Sequence, residues 1–375
     1  MNDKNLFKED TLISRDVDST IEQIVEYIIR DYIFSWATKC VPDDESFRES
    51  LAIKIKNEIW VVLRNLITRM REIDTVTFFS EKLPRILQRH FEKFNLALAH
   101  QIDENQHIVR FMVARHLGDD QAELEFIRKV CEYLLRILFP SNYAFCDEFI
   151  FLMREVFAKH VIFNAIDYIC DPYFINHQAN VYGSVVGPVA SSLESSFGSI
   201  NNATQTGPSM STPGFLVDDE EEPKEDISDS IYDLVCEIFA LKRAHIRRAI
   251  ITLFQVAFGK TINRQLKDSI LQLSSEKFIH DQLIKFMNAF WPDGVLAESN
   301  PPVSEDDRKL TYLIAKQYLI TSIPDVFLNL IGQQNARKGF LKVFEALQSK
   351  KANKQLFYDI LEAFILELSP ELKTR

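Results

Sequence analysis

Histidines and carboxylates most often carry acid–base or metal chemistry, and their spacing in this chain argues against both. The eight histidines are scattered, and His107 and His116, nine residues apart, cannot share one helix face as ligands. Asp43, Asp44 and Glu45 resemble an acidic cluster, but they precede a helical pattern, which favours a helix start stabilised by the dipole. No GxSxG, HExxH or glycine-rich phosphate motif occurs. The sequence predicts no enzyme, metal or cofactor, although a catalytic set assembled from distant residues would escape such a search.

Apolar residues are the more informative group. The segment 146–169 is apolar on more than one helix face, and 249–258 carries a similar stripe. Such helices are normally buried in a core. They would also suit a cavity for acyl chains, since each buried CH₂ contributes ~0.8 kcal/mol and few polar groups would be left unpaired. The cavity candidates are Phe149, Leu152, Met153, Val156, Phe157, Ile162, Phe163, Ile250, Leu253, Phe254, Ala257 and Phe258.

Basic residues form two clusters. The first consists of Lys242, Arg243, Arg247 and Arg248. These residues are candidates for contact with phospholipid head groups or a membrane, because each nearby cation contributes about 1 kcal/mol at an anionic surface. The alternative is a solvated helix face that pairs with the acidic run 218–222. The second cluster, Lys350 and Lys351 with Lys354 close behind, is predicted to be a charge run in a loop or at a helix end.

Composition and charge limit the class of protein. Gly and Pro are scarce outside one central segment, which favours helices over a turn-rich β fold. A net charge of -11 argues against a nucleic-acid partner. The five cysteines are odd in number and form no CxxC, which fits reduced thiols in the cytosol. The N-terminus has no signal-peptide pattern, and no uninterrupted apolar run reaches about 18 residues, so we expect a soluble chain without a transmembrane segment.

Helical periodicity runs through most of the chain. Apolar residues recur at three- and four-residue steps, which predicts an all-α fold. Ser19 and Glu22 have the spacing of a capping box and mark the predicted start of the first helix. Asp74 and Ser304 mark two later starts. Gly339 is predicted to begin the penultimate helix.

One segment lacks any helical or alternating period. It runs from Val185 to Glu225, is rich in Gly, Ser, Thr and Asn, and ends in an acidic run. Because it cannot bury enough apolar surface to offset the entropy of ordering, we predict a flexible linker. The predicted division is a flexible N-terminus at 1–15, a helical domain at 16–182, the linker at 183–230 and a second helical domain at 231–375.

Two stretches resemble the end domains of the RGS-containing sorting nexins. Residues 16–182 are similar to the PXA domain at Asp43-Asp44-Glu45-Ser46-Phe47, Arg71-Glu72-Ile73-Asp74, Asp171-Pro172 and Ile175-Asn176. Residues 231–372 resemble the sorting-nexin C-terminal domain at Phe290-Trp291-Pro292-Asp293-Gly294, Ile331-Gly332, Ala336-Arg337-Lys338-Gly339 and Pro370-Glu371-Leu372. The family carries RGS and PX domains between these ends, where only the linker lies here, so neither activity is carried over. Gly183-Ser184 is typical of a cloning junction and suggests an engineered fusion.

The resemblance implies a structure and a function. Its implied structure is one elongated helical body, formed by docking of the two domains, with an apolar groove or tunnel. Its implied function is non-enzymatic binding or transfer of a phospholipid or other lipid through a cavity shared by the domains. The setting would be organelle contact sites, at the cytosolic face of endoplasmic reticulum or endosomal membranes, with peripheral membrane contact. The alternative is a protein-interaction or membrane-tethering scaffold in endosomal trafficking, with ordinary cores and no lipid cavity.

Overall fold

The computed structural model describes residues 11–35, 45–99, 114–181, 228–241, 264, 267–297, 303–323, 328–329 and 331–372. Within these ranges the chain is all-α, without a strand. The predicted fold class is therefore confirmed. Below, residues 11–181 are called the N-terminal segment and residues 228–372 the C-terminal segment.

Eleven helices carry the argument that follows. The N-terminal segment contains α1 (Arg15–Ile28), α2 (Glu45–Arg71), α3 (Leu83–Ala99), α4 (Asp120–Leu138), α5 (Asp147–Glu155) and α6 (Phe163–Ile169). The C-terminal segment contains α7 (Ser228–Ile238), α8 (Glu276–Phe290), α9 (Glu305–Thr321), α10 (Gln333–Ala346) and α11 (Lys350–Leu368). Residues 172–181 and 267–273 are also helical.

Side-chain caps begin two helices where the sequence predicted them. Asp74 Oδ1 accepts the Thr77 N–H at 3.1 Å at the turn that leads into α3. Ser304 Oγ accepts the Asp307 N–H at 3.1 Å at the start of α9. Each bond satisfies a backbone donor that has no partner within the helix. Because such a cap joins residues three apart, it can be predicted from local sequence.

The start of α1 differs from the prediction. Ser14 is the N-cap, and its side chain accepts a backbone N–H of the first turn, so Ser19 lies inside the helix. Asp18 fixes this earlier start, because its Oδ2 accepts the Leu12 N–H at 2.7 Å. Leu12 is buried. The N-terminus 1–15 was predicted to be flexible, and the structure describes its residues 11–15. These include the cap, Ser14, and the buried Leu12.

Three wider, π-helical turns adjoin these helices. Ile29–Ile33 follows α1, Phe78–Lys82 precedes α3, and Val156–Ile162 joins α5 to α6. Residues 147–169 therefore form one continuous helix. Ala158, in the third π-helical turn, is fully buried. Single π-helical turns inside α-helices are frequent at functional sites.

The hydrophobic cores contain side chains of both segments. One cluster comprises Leu117, Leu124, Ile127, Cys131, Ala158, Ile166, Cys170 and Tyr358. Tyr358 belongs to α11, and all the other members belong to the N-terminal segment. A second cluster joins Phe91, Phe94 and Ala97 of α3 to Ala346 and Ala352. Helix α3 also contacts α7, and α1 contacts α8.

Two cysteines behave as small core hydrophobes. Cys131 and Cys170 are buried, free thiols. Burial raises the pKa of Cys131 to about 11 and that of Cys170 to about 12. Both therefore stay protonated and unreactive near neutral pH.

Gly339 has a role other than the predicted one. Helix α10 begins at Gln333, so Gly339 lies in its interior and does not start it. A Cβ atom at Gly339 would lie 2.1 Å from Cδ1 of Phe239, which is itself buried. The glycine therefore allows the Phe239 ring to pack directly on the backbone of α10. The prediction was wrong because the reason for the glycine lies 100 residues earlier in the chain.

Candidate functional site

Acidic side chains of the N-terminal segment pair with basic side chains of the C-terminal segment along one line. This ionic ladder consists of Glu123, Asp167 and Asp171 on one side and Lys354, Lys350 and Arg308 on the other. At its inner end, Lys354 Nζ lies 2.9 Å from Glu123 Oε2 and 3.1 Å from Asp167 Oδ1. Tyr358 Oη donates to Glu123 Oε1 at 2.8 Å. Lys354 is 6% exposed and Glu123 3%, so each charge depends on the other.

The pKa shifts at the inner end follow from these contacts. Burial by itself would lower the pKa of Lys354, but hydrogen bonds to Glu123 and Asp167 outweigh it and raise that pKa above the ordinary lysine value. Burial would raise the pKa of Asp167, yet bonds from Lys350 and Lys354 bring it below the ordinary value. Burial and the bond to Glu123 raise the pKa of Tyr358. At neutral pH, Lys354 and Asp167 are therefore charged and Tyr358 is neutral.

At its outer end the ladder reaches an open cleft of about 430 Å³. The cleft is lined by Pro172, Tyr173, Asn176, Arg308, Lys309, Tyr312, Leu313 and Gln348. Arg308 Nη1 lies 2.9 Å from Asp171 Oδ1, and its guanidinium lies 5.5 Å from the centre of the Tyr173 ring. The side-chain amides of Asn176 and Gln348 bond to each other at 3.0 and 3.2 Å. The cleft thus combines two cations with apolar and amide groups taken from both segments.

A second contact between the segments lies at the turn that follows α8. Trp291 is buried, and its Nε1 donates to Asp31 Oδ2 at 2.8 Å. Arg30 Nη2 donates to the carbonyl oxygen of Gly294 at 2.8 Å, and Tyr27 packs on the indole at 5.6 Å between centroids. Hydrogen bonds from Arg30 and then Trp291 lower the pKa of Asp31. The aromatic turn, one of the stretches that carry the family resemblance, therefore packs on α1 and on the turn that follows it.

Two family models match the chain, one in each segment. The model of the PXA domain matches residues 14–180, and the model of the sorting nexin C terminal matches residues 244–351. This chain is a homologue of the sorting nexins. It carries a PXA domain followed by a sorting nexin C-terminal domain, as the resemblance indicated.

Curated relatives of this sorting nexin homologue are much longer than the matched region. Sorting nexin-25 of Mus musculus is 41% identical over 158 residues, which cover 42% of this chain and 19% of that protein. Sorting nexin-13 of Homo sapiens is 34% identical over 148 residues, 38% of this chain and 15% of that protein. Structural protein MDM1 of Saccharomyces cerevisiae is 30% identical over 148 residues, 37% of this chain and 13% of that protein. No solved structure matched.

The sorting nexin homologue places its predicted cavity residues in different environments. Leu152 and Val156 are 61% and 42% exposed. Phe149 and Met153 are half-buried. The remaining three in this segment pack against the core cluster that contains Tyr358, namely Phe157, Ile162 and Phe163. The apolar surplus of 146–169 is therefore partly core and partly surface.

Other predicted residues lie outside the described ranges. Among the cavity candidates these are Ile250, Leu253, Phe254, Ala257 and Phe258. The head-group candidates, which are Lys242, Arg243, Arg247 and Arg248, also lie outside the described ranges. The same holds for Asp43, Asp44 and His107. Their roles stay predictions.

The ionic ladder was missed in the sequence. Lys350, Lys351 and Lys354 were predicted to be a charge run in a loop or at a helix end, and Lys350 does begin α11. That prediction did not anticipate that the Lys354 side chain is buried. A local signal exists, since Lys354 lies four residues before Tyr358 and therefore on the same, apolar face of α11. A cation on a core-facing stripe needs a buried acid. Nothing local identifies Glu123 as that acid, because it lies 231 residues away.

Within the described ranges of this sorting nexin homologue, no group of three or more His, Cys, Asp or Glu is placed to hold a metal ion. His116 is engaged in packing, stacked on Phe126 at 4.3 Å between ring centroids and edge-on to Tyr358 at 5.2 Å. No described helix is both long enough and apolar enough to cross a bilayer.

Proposed function

We propose that this chain binds a lipid without catalysing a reaction, and that the lipid lies where the two segments meet. The observation that carries the proposal is the open cleft of about 430 Å³, whose walls come from both segments. Small-molecule sites typically measure about 300–1,000 Å³ and combine apolar walls with a few polar groups. Leu313 and Pro172 supply apolar surface here, and Arg308 and Lys309 supply charge.

Docking of the two domains is part of the proposal. The ionic ladder and the Trp291 turn join the segments at separate places, and cluster members from both segments share two cores. These contacts support a docked arrangement in solution. The cleft would then exist only in the docked chain, because each segment supplies only part of its wall.

Homology to the sorting nexins supports membrane trafficking as the setting. The finer setting, lipid transfer at contact sites on the cytosolic face of endoplasmic reticulum or endosomal membranes, belongs to the proposal. Exposed apolar side chains near α5 support peripheral membrane contact: Phe145 is 83% exposed and Phe151 58%. Contiguous exposed apolar patches commonly mark interaction sites for proteins or membranes.

One observation favours the alternative, a scaffold without a lipid cavity. Phe157, Ile162 and Phe163 pack against a core cluster, as side chains of an ordinary core would. A scaffold would use its exposed apolar surface to hold partners or membranes together, and would carry no lipid inside.

Lipid extraction and native mass spectrometry of the purified chain separate these functions. We expect a co-purified lipid mass and transfer of lipid between liposomes. Leu313→Trp should fill the cleft and abolish uptake, whereas Leu271→Trp should not, because Leu271 is also exposed but lies in the helical segment 267–273 and does not line the cleft. Circular dichroism would confirm that both variants fold. A wild-type chain that is free of lipid and inactive in transfer would refute the proposal and favour the scaffold.

A further inference from the structure

We infer that the cleft binds the phosphate of an anionic phospholipid head group, an inference that rests on the proposed function. Arg308 and Lys309 are adjacent in the chain, and both line the cleft. Arginine has five N–H donors in a planar fork that matches phosphate oxygens. Asp171 accepts from Nη1 of Arg308, which leaves the rest of the fork able to turn toward a ligand.

Three other polar side chains of the cleft, those of Tyr312, Asn176 and Gln348, are already engaged within the protein. Tyr312 Oη donates to Glu345 Oε1 at 3.2 Å, and Lys316 Nζ donates to Tyr312 Oη at 3.0 Å. The amides of Asn176 and Gln348 bond to each other. The two cations are therefore the groups best placed to attract a charged ligand, and the ligand's charge must be negative.

A phosphate could exchange with Asp171 at Arg308 without leaving the carboxylate alone. Asp171 Oδ1 also accepts the Tyr173 N–H at 2.8 Å. Its Oδ2 lies 3.9 Å from Lys350 Nζ. Because both contacts remain after the exchange, Arg308 can turn to the ligand while Asp171 keeps partners at the outer end of the ladder.

The neighbouring apolar surface favours a lipid over free phosphate. Leu310, Leu313 and Ile314 are 57%, 60% and 47% exposed and form an i, i+3, i+4 stripe on α9, beginning next to Lys309. An acyl chain could cover this stripe while the head group occupies the cleft. The first turn of α9 carries Glu305, Asp306 and Asp307, which oppose attraction to a diffuse anionic surface. The arrangement therefore favours the binding of one head group in the cleft over nonspecific attraction of α9 to an anionic membrane surface.

Vesicle flotation of the full chain tests this inference. We expect stronger binding to phosphatidylcholine vesicles that contain phosphatidylglycerol, in which the phosphate is the only charged group, than to phosphatidylcholine alone, in which choline neutralises the phosphate. Lys309→Gln should weaken binding to the mixed vesicles about fivefold, the effect of one cation, and Lys309→Arg should restore it. Asp171→Asn should strengthen binding, because it weakens the ion pair with Arg308 that competes with the ligand. The exposed Lys277 of α8 provides a matched control, and Lys277→Gln should change nothing.

The possible failures are distinguishable. Equal binding to both vesicle types, unaffected by Lys309→Gln, would overturn the head-group site and leave lipid binding intact. No vesicle binding together with no co-purified lipid would overturn both proposals. Calorimetric titration with inorganic phosphate tells whether the cleft binds a lipid head group or a free phosphate ion. Inorganic phosphate that binds as tightly as the mixed vesicles would show an ion site and exclude the lipid. Urea unfolding of each variant would confirm that the fold is retained.

Discussion

Lys354 Nζ and Glu123 Oε2 are 2.9 Å apart in the protein interior, although 231 residues separate them in the sequence. Such a pair adds little net stability, because desolvation consumes most of the Coulombic gain, but breaking it is costly. Its effect is to fix the register of α11 against α4. A shift of α11 by one turn that put Tyr358 in the place of Lys354 would leave Glu123 without its cation. The opposite shift would put Lys350 there and take Lys350 away from Asp167 and Asp171.

Lys354→Met should lower the free energy of unfolding by about 3–5 kcal/mol, because Glu123 would stay buried without its cation. Urea denaturation measures the change. The matched control is Lys351→Met at an exposed position of the same helix, which should stay within about 0.5 kcal/mol of wild type. Adding Glu123→Leu to Lys354→Met should recover much of the loss, since neither inner charge would remain. A double variant no more stable than Lys354→Met would contradict this explanation.

Gly339→Ala should destabilise the chain even though alanine is the better helix former by about 1 kcal/mol. The new Cβ would lie 2.1 Å from the Phe239 ring, and the buried ring has little room to move. We expect a net loss of about 1–3 kcal/mol from overpacking, measured by thermal or urea unfolding. Gly118→Ala is the control, because no neighbouring atom lies within 4 Å of its Cβ. Stabilisation by Gly339→Ala would show that the close packing is absent.

Trp291→Phe should lower the free energy of unfolding by about 1–3 kcal/mol. The change removes the Nε1 donor to Asp31 and part of a buried aromatic surface. Phe290→Leu, at the adjacent and half-exposed position, should cost far less. Urea unfolding gives both values. Equal losses for the two variants would mean that the contact of Trp291 with α1 contributes nothing specific.

We expect the free energy of unfolding to fall as the pH is lowered from about 6.5 toward 4, because His90 is buried in its neutral form. Burial lowers the pKa of His90 to about 4, and the side chain is 2% exposed. In the unfolded chain, His90 therefore binds a proton near pH 6.5, whereas in the folded chain it stays neutral until the pH approaches 4. This favours unfolding by up to about 3 kcal/mol at the acid end of that range and not at all well above pH 6.5. Comparing urea unfolding of wild type and His90→Phe at pH 7.5 and 4.5 isolates the effect. An unchanged pH dependence in the variant would contradict it.

Local features of the fold were predictable from the sequence. The all-α class follows from helical periodicity, and the caps at Asp74 and Ser304 follow from bonds that span three residues. The stretch around Trp291 carried part of the family resemblance, but its contacts with Tyr27 and Asp31 were not predicted. Features with a distant cause were mispredicted or missed: the place of Gly339 is explained by Phe239, and the burial of Lys354 by Glu123.

Most of the candidate site could not be predicted from the sequence, because its residues are far apart in the chain. The cleft takes residues from 172–176, 308–313 and 348, and none of these stretches has a binding motif of its own. Apolar composition distinguished 146–169 from the other segments, but composition cannot tell which side chains face a core. Phe157 and Leu152 are both apolar and five residues apart, yet one packs in the interior and the other is largely exposed.

The separation of the inner pair along the chain has a consequence for biosynthesis. A ribosome that has just added Glu123 must add 231 more residues before Lys354 exists. At about 5–20 residues per second, this takes roughly ten to fifty seconds. Throughout that interval the nascent N-terminal segment carries a carboxylate whose cation has not yet been made, together with a core that still lacks Tyr358. Translation speed therefore sets the shortest time in which this interior can be completed.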